Sequence, residues 1–130
     1  MTKRVLISTG GSGGHVIPAI TIYNHLKNTH QALISTDSRG LKYLDKNYNT
    51  VVINTPKLNN YFLLPFSFIK ILFLTLKSFL IIKKNNISIL ISTGGYMSLP
   101  LCLAAKILGI KIFLIEPNMV LGRANKLFLN

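Results

Sequence analysis

The chain has 130 residues, with 15 Lys and Arg against 3 Asp and Glu for a formal charge of +12, yet 49% of it is hydrophobic. Disordered basic arms are poor in Ile, Leu, Val and Phe, so this composition excludes an unfolded nucleic-acid-binding tail and points to one packed domain. A lone cysteine, Cys102, excludes a disulfide framework and points to an intracellular setting, while three carboxylates, Asp37, Asp45 and Glu116, exclude paired-carboxylate catalysis and a hard-metal site.

Met1-Thr2-Lys3-Arg4 leads into only Val5-Leu6-Ile7 before polar Ser8-Thr9, too short for a secretory signal, so the N-terminus is expected to belong to the fold. Val5–Ile7 reads as the first of five short buried strands, followed by Ala32–Ile34, Val51–Ile53, Ile87–Ile91 and Ile110–Ile115. Between the first two, the spacing predicts a helix opening near Val16, with Ala19, Tyr23 and Leu26 on one face and Pro18 tolerated in its first turn. Between the last two, Ser98 is positioned to cap a helix that carries Pro100 in its first turn and stops at Gly109. Apolar strands alternating with helices predict a doubly wound α/β domain whose parallel sheet runs in the order 3-2-1-4-5.

The stretch from Tyr61 to Ile82 holds 22 residues and only two charges, Lys70 and Lys77. It is long enough to span a bilayer, but Pro65 lies near its start and each mid-bilayer Lys costs about 2.5–3.5 kcal/mol. Lys70 and Lys77 are seven apart and share one helical face. Three readings stand: a spanning helix, a helix buried in the domain, and the preferred one, a helix packed by one face and resting the other on a membrane surface. Phe62, Phe66, Phe68, Phe73 and Phe79 exceed what one buried stripe needs, and Lys70 and Lys77 suit lipid phosphates, which favours the third.

Ile-Ser-Thr-Gly-Gly occurs twice, at residues 7–11 and 91–95, each time where a predicted strand gives way to a turn. If the first and fourth strands are neighbours, both turns open on one crevice at the carboxyl edge of the sheet, where α/β folds bind ligands. Gly10, Gly11, Gly13 and Gly14 permit close backbone approach, and the following helix start suits a phosphate. Tight turns with no ligand are the plainer alternative. As a dinucleotide fingerprint the match is weak, because Val16 stands in place of the third glycine, although Asp37 at the end of the second strand could serve a ribose. The phosphate-loop pattern fails for want of a Lys-Ser or Lys-Thr pair.

His15 follows the double glycine at the mouth of this crevice, where an imidazole could take a proton from a hydroxyl or bind a phosphate. His25 and His30 lack such a context and read as surface residues. After the fifth strand, Glu116-Pro117-Asn118 opens a third loop on the same edge. Glu116 and Asn118 could bind sugar hydroxyls, or Glu116 could simply cap the next helix.

Together, the run from Gly10 to Ala19, the run Gly94-Gly95-Tyr96-Met97-Ser98-Leu99-Pro100, and Glu116-Pro117-Asn118 with Gly122 and Asn125 resemble the amino-terminal domain of the MurG family in order and spacing. The resemblance covers essentially the whole chain. It implies a Rossmann-like doubly wound domain, residues 1–130, forming the acceptor-binding and membrane-associating half of a GT-B glycosyltransferase whose C-terminal donor-binding domain lies outside this sequence. It also implies inverting transfer of N-acetylglucosamine from UDP-GlcNAc to lipid I, giving lipid II in peptidoglycan synthesis, with no cofactor and no metal.

Carried over residue by residue, the resemblance puts Ser12, Gly13, Gly14 and Asn118 beside the donor. It turns Gly10, Gly11, Gly13, Gly14, Gly94, Gly95 and Tyr96 toward the acceptor diphosphate, and it makes His15, with Glu116 in the third loop, the catalytic candidates. Phe62, Phe66, Phe68, Lys70, Phe73, Lys77 and Phe79 become contacts to the anionic cytoplasmic face of the bacterial inner membrane, as in a peripheral protein. Where the family commonly has His before the Glu of the third loop, this chain has Ile115, and Pro117 is also atypical. The alternatives are a non-catalytic membrane-anchoring subunit of a split transferase and a nicotinamide-binding Rossmann domain. Nucleic acid is not an expected partner, because the basic residues are scattered without a dense patch.

Overall fold

Five parallel strands form one sheet in the order β3-β2-β1-β4-β5: β1 (Arg4–Ser8), β2 (Gln31–Thr36), β3 (Thr50–Val52), β4 (Ile89–Ser92) and β5 (Lys111–Leu114). This is the order expected from the sequence. The computed structural model describes residues 2–56, 59–117 and 128. Helix α1 (Gly13–Leu26) follows β1, α2 (Leu64–Lys84) precedes β4, and α3 (Leu99–Ile107) joins β4 to β5. Parallel neighbours need such crossovers, and the crossovers cover both faces of the sheet.

Alternation along each strand sorts the core into two layers. Val5, Ile7 and Ile34 pack with Ala19 on the α1 side, supported by half-buried Tyr23 and Leu26. Leu6, Leu33 and Leu90 face the other way, against Leu74 and Ile82 of α2 and Leu101 and Cys102 of α3. Leu6, Ile34, Leu90 and Leu101 are fully enclosed. Truncating any of them to Ala costs about 2–5 kcal/mol, through lost transfer energy and the cavity left behind.

Local chemistry moves several element ends from their expected places. Helix α1 opens at Gly13 rather than near Val16, which puts Pro18 in the second turn instead of the first. Its ring therefore withholds the N–H that would bond the Gly14 carbonyl. Ser98 stands at the N-cap of α3, but in helical geometry (φ −79°, ψ −19°), and its hydroxyl donates back to the Gly95 carbonyl at 2.7 Å instead of capping the helix. Gly109, at φ +67°, does end that helix region. Between β2 and β3 the chain makes only a 3₁₀ turn, Gly40–Tyr43, packed beside α1. A Cβ on Gly40 would collide with Thr36 Oγ1, so a larger residue at this position requires the buried Thr36 side chain to move.

Helix α2 has one buried face of mixed apolar and hydroxyl side chains and one exposed apolar face. Ser67, Ile71, Leu74, Thr75, Ser78 and Ile82 recur at helical spacing and are buried, the Thr75 and Ser78 hydroxyls donating to the Ile71 and Leu74 carbonyls at 2.7 Å. On the other side Phe66 is 72% and Phe73 69% exposed, beside exposed Phe68, Ile69, Leu72, Leu76 and Leu80, while Phe62 in the preceding turn is 93% exposed. Lys70 and Lys77 are exposed as well. With its preceding turn, the helix is long and apolar enough by length and composition to cross a membrane. Only 33% of its most apolar stretch is buried, which contradicts the reading of a helix enclosed by the domain. Phe79 departs from the exposed row: it is half-buried against the core, with Lys83 Nζ 5.4 Å from its ring centroid.

Candidate functional site

The repeated Ile-Ser-Thr-Gly-Gly segments end up side by side, because Ile7 pairs with Ile91 and Ser8 with Ser92 across the β1–β4 ladder. The pairing continues past the strands. Thr93 N–H donates to the Ser8 carbonyl at 3.0 Å, and the buried Thr93 hydroxyl donates to Thr9 Oγ1 at 2.8 Å. Both chains then turn through glycine, with Gly11 at φ +84° and Gly95 at φ +85°, a region that side chains with a Cβ rarely enter. The first loop feeds α1. Ser12, in extended geometry before the helix, makes no side-chain cap bond, so the first N–H groups of α1 have no acceptor from this hydroxyl. The second loop is stitched by neutral groups: Gly94 N–H donates to Ser92 Oγ at 3.1 Å, and the Ser98 hydroxyl to the Gly95 carbonyl.

His15 ties the two loops together. Its Nδ1 lies 2.7 Å from the Thr93 carbonyl oxygen. A carbonyl only accepts, so Nδ1 carries the hydrogen, and in the neutral ring the lone pair sits on Nε2. The half-buried ring borders the second loop, its Cδ2 3.9 Å from where a Cβ on Gly95 would stand. That is the arrangement a proton acceptor needs: one nitrogen oriented by the backbone, the other able to take a proton.

The first loop rests on a buried charge. Asp37, 4% exposed, accepts the N–H groups of Gly11 and Gly40 on Oδ1, both at 2.9 Å, and Arg39 Nε on Oδ2 at 2.8 Å. Burial alone would raise its pKa, but the bonds from Gly11, Arg39 and Gly40 and the Arg39 charge outweigh it and hold the carboxyl below its usual range. Both oxygens are therefore committed. With its side chain only 5% exposed, Asp37 supports the first loop rather than offering an open carboxylate to a ribose. The Gly11 N–H thus already has a partner within the fold. Gly10 is buried, and a Cβ on it would lie 2.9 Å from both Asp37 Oδ1 and Met97 Cγ.

Ser12 and Gly14 are exposed at the start of α1, and Gly13 sits under the Tyr43 ring, 3.2 Å from where its Cβ would be. Gly94 is buried, whereas Gly95 and Tyr96 are half-buried at the 3₁₀ turn Tyr96–Ser98 that leads into α3. Glu116 is half-buried just past β5, where Ile115 N–H donates to the Ser92 carbonyl at 2.8 Å, so it lies on the same edge. Asn118, Gly122 and Asn125 lie outside the described residues. Cys102 is no nucleophile: burial pushes its thiol up to about 11 despite contacts from Ser92 and Ser98. Sequence reasoning missed the segment Asp37–Tyr43 as a wall of this site. The signal was present, since one of only three carboxylates stands two residues before an arginine at the end of a predicted strand.

The profile of the glycosyltransferase family 28 N-terminal domain matches residues 5–130. Over 132 aligned residues and 100% of its length, the chain is 55% identical to the UDP-N-acetylglucosamine--N-acetylmuramyl-(pentapeptide) pyrophosphoryl-undecaprenol N-acetylglucosamine transferase of Pelagibacter ubique, of which it covers 37%. It is 35% identical, over 97% of its length, to the protein of the same name from a Wolbachia of Brugia malayi, of which it covers 36%. Its fold superposes on the crystal structure of Acinetobacter baumannii MurG with a TM-score of 0.82 at 29% identity, covering 96% of this chain and 38% of that one. The chain thus spans a little over a third of the length of the relatives it matches. With the sheet order, the paired glycine turns and a family profile that runs almost from end to end all in agreement, the chain belongs to glycosyltransferase family 28, as its N-terminal domain.

Proposed function

We propose that this chain is the acceptor-binding half of an inverting glycosyltransferase that moves N-acetylglucosamine from UDP-GlcNAc to lipid I, giving lipid II for peptidoglycan synthesis. The observation that carries the reading is His15, oriented by Thr93 across the two glycine loops with Nε2 left to accept a proton. In this mechanism Nε2 takes the proton of the acceptor 4-hydroxyl as that oxygen attacks the anomeric carbon of the donor sugar. The bond from that carbon to the UDP β-phosphate oxygen breaks, UDP leaves with the electron pair, and one direct displacement inverts the configuration. The turns Gly10–Gly14 and Gly94–Tyr96 face the acceptor diphosphate, with the positive end of α1 favouring its charge. Ser12, Gly13, Gly14 and Asn118 border the donor, and Glu116 lines the third side. A C-terminal domain supplies most contacts to UDP.

The same reading docks the domain on the anionic cytoplasmic face of the inner membrane through the exposed face of α2. Phe62, Phe66, Phe68 and Phe73 enter the interface, and Lys70 and Lys77 meet lipid phosphates. Phe79, half-buried, contributes packing beneath them.

Assaying transfer from UDP-GlcNAc to a lipid I analogue tests the proposal in the full-length protein. His15→Ala is expected to lower kcat by about 10²–10⁴-fold, the usual share of a general base. Near-normal turnover in that variant removes His15 from the mechanism, and no transfer by the unaltered protein removes the reading. For docking, Phe66→Ser with Phe73→Ser should abolish flotation with vesicles containing phosphatidylglycerol, and unchanged flotation rejects this face.

A further inference from the structure

The segment after β2 supplies a cation that no part of the mechanism above uses. Arg39 is anchored by Nε on Asp37 Oδ2 at 2.8 Å, and its Nη2 lies 3.9 Å from Met97 Sδ, a residue of the turn that follows the second glycine loop. The same Nη2 stands 3.5 Å from where a Cβ on Gly11 would be, so the guanidinium lies alongside the first loop. It spans the two loops as His15 does, from a different wall. Guanidinium carries five N–H donors. Nε and one hydrogen of Nη2 account for the bonds above, which leaves three donors without an assigned partner among the described residues. The side chain keeps 48% of its surface exposed while its anchor, Asp37, keeps 5%.

Charge gives this placement a purpose. The Asp37 carboxylate lies directly beneath the loop read as facing a diphosphate, and an ionised carboxylate there repels such a ligand. A cation fixed at the same loop offsets that repulsion. Arginine suits the task because its planar fork matches phosphate oxygens, and because one edge can be held by a carboxylate while the other binds.

We infer that Arg39 is a substrate-binding residue: held by Asp37 through Nε, it presents its remaining Nη donors to the diphosphate of the lipid acceptor. The inference rests on the acceptor reading above and adds to it a residue from the β2–β3 crossover. Two sources offer a diphosphate, the acceptor and the UDP donor. Arg39 is assigned to the acceptor, because it borders the loops of this domain, whereas UDP is held mainly by the other domain in the proposed enzyme.

Steady-state kinetics on the full-length protein, varying each substrate in turn, test the assignment. Arg39→Ala is expected to raise KM for a lipid I analogue about tenfold or more, with kcat within about threefold and KM for UDP-GlcNAc unchanged. Arg39→Lys should recover part of the loss, since it keeps the charge but not the fork. Inorganic diphosphate, used as a competitor against the acceptor, should lose a similar factor of affinity in the Ala variant. An unchanged acceptor KM overturns the inference, and so does an equal rise in both KM values, which marks a merely structural role. A rise confined to UDP-GlcNAc overturns the choice of acceptor. These outcomes require a wild-type enzyme that turns over. An inactive wild type instead rejects the proposed function itself, which keeps the two failures apart.

Discussion

Residues 7–11 and 91–95 are the same five residues on neighbouring strands in one register, yet they are held in different ways. The first loop sits on a buried carboxylate, donates the Gly11 N–H to it, and runs into a 14-residue helix. The second is held by the hydroxyls of Ser92 and Ser98 and enters a 9-residue helix through a 3₁₀ turn. Identical local sequence is enough to give the same strand end and the same left-handed glycine. What each loop then offers a ligand depends on the wall behind it. Behind the first stand a fixed anion and its arginine; behind the second stand neutral hydroxyls and the backbone carbonyl that orients His15.

The largest contrast should come from removing each loop's support. Asp37→Ala leaves the Gly11 N–H without its acceptor and Arg39 without its anchor, while the Gly40 N–H keeps only the residue-37 carbonyl at 3.1 Å, and is expected to cost about 3 kcal/mol, read as a lower urea midpoint with an unchanged slope. Ser98→Ala, which removes one neutral bond, should cost only about 1 kcal/mol in the same experiment. Equal losses from the two would erase the distinction between a charged and a neutral wall.

Glycine substitutions give the next largest difference. In Gly10→Ala the new methyl meets Asp37 Oδ1 and Met97 Cγ at 2.9 Å, for an expected loss of about 2–3 kcal/mol. In Gly95→Ala the nearest atoms stand at 3.7 and 3.9 Å, so only backbone strain of about 1 kcal/mol remains. Thermal melts of the two variants should rank accordingly. A reversed order would mean that the loop shifts off Asp37 easily.

The smallest effect is a pH dependence that only the first loop carries. Because the folded Asp37 carboxyl lies below its ordinary value, its stabilisation is complete above that value, near pH 4. It is lost as pH falls further, through the lowered folded value. Unfolding between pH 5 and 2 should therefore show a steeper acid loss in the wild type than in Asp37→Asn. Parallel curves would show that the carboxylate is not held ionised by the fold.

Much of this was legible along the chain. The strands Val5–Ile7 and Ala32–Ile34 lie within β1 and β2, and the apolar runs near residues 51, 89 and 112 each hold a strand, shifted by one or two residues where the register of a neighbour governs the end. The two glycine turns fall on one edge, as the strand order requires. The role of Asp37 was not legible, because its partner Gly11 is 26 residues away and the ribose position it occupies in generic folds is next door. Nor was the inward turn of Phe79: its place on the helix is set by which stripe of α2 meets α3, and a helix with apolar residues on both faces does not announce that choice.

Sequence alone was enough for the alternation of buried strands and helices, the parallel sheet and its order, and the pairing of the repeated turns. The elements follow from the periodicity of burial and from backbone sterics, which act within a few residues, and the order and the pairing from the connection rules of doubly wound sheets. Only the tertiary structure decided which nitrogen of His15 bears the hydrogen, which carboxylate lies beneath the first loop, and which arginine stands beside it. Each of those rests on a contact 26 to 78 residues apart in the chain. Such contacts exist only once the register of β1, β2 and β4 brings three strand ends together, and hydrogen bonds of 2.7 to 2.9 Å leave little tolerance for any other arrangement.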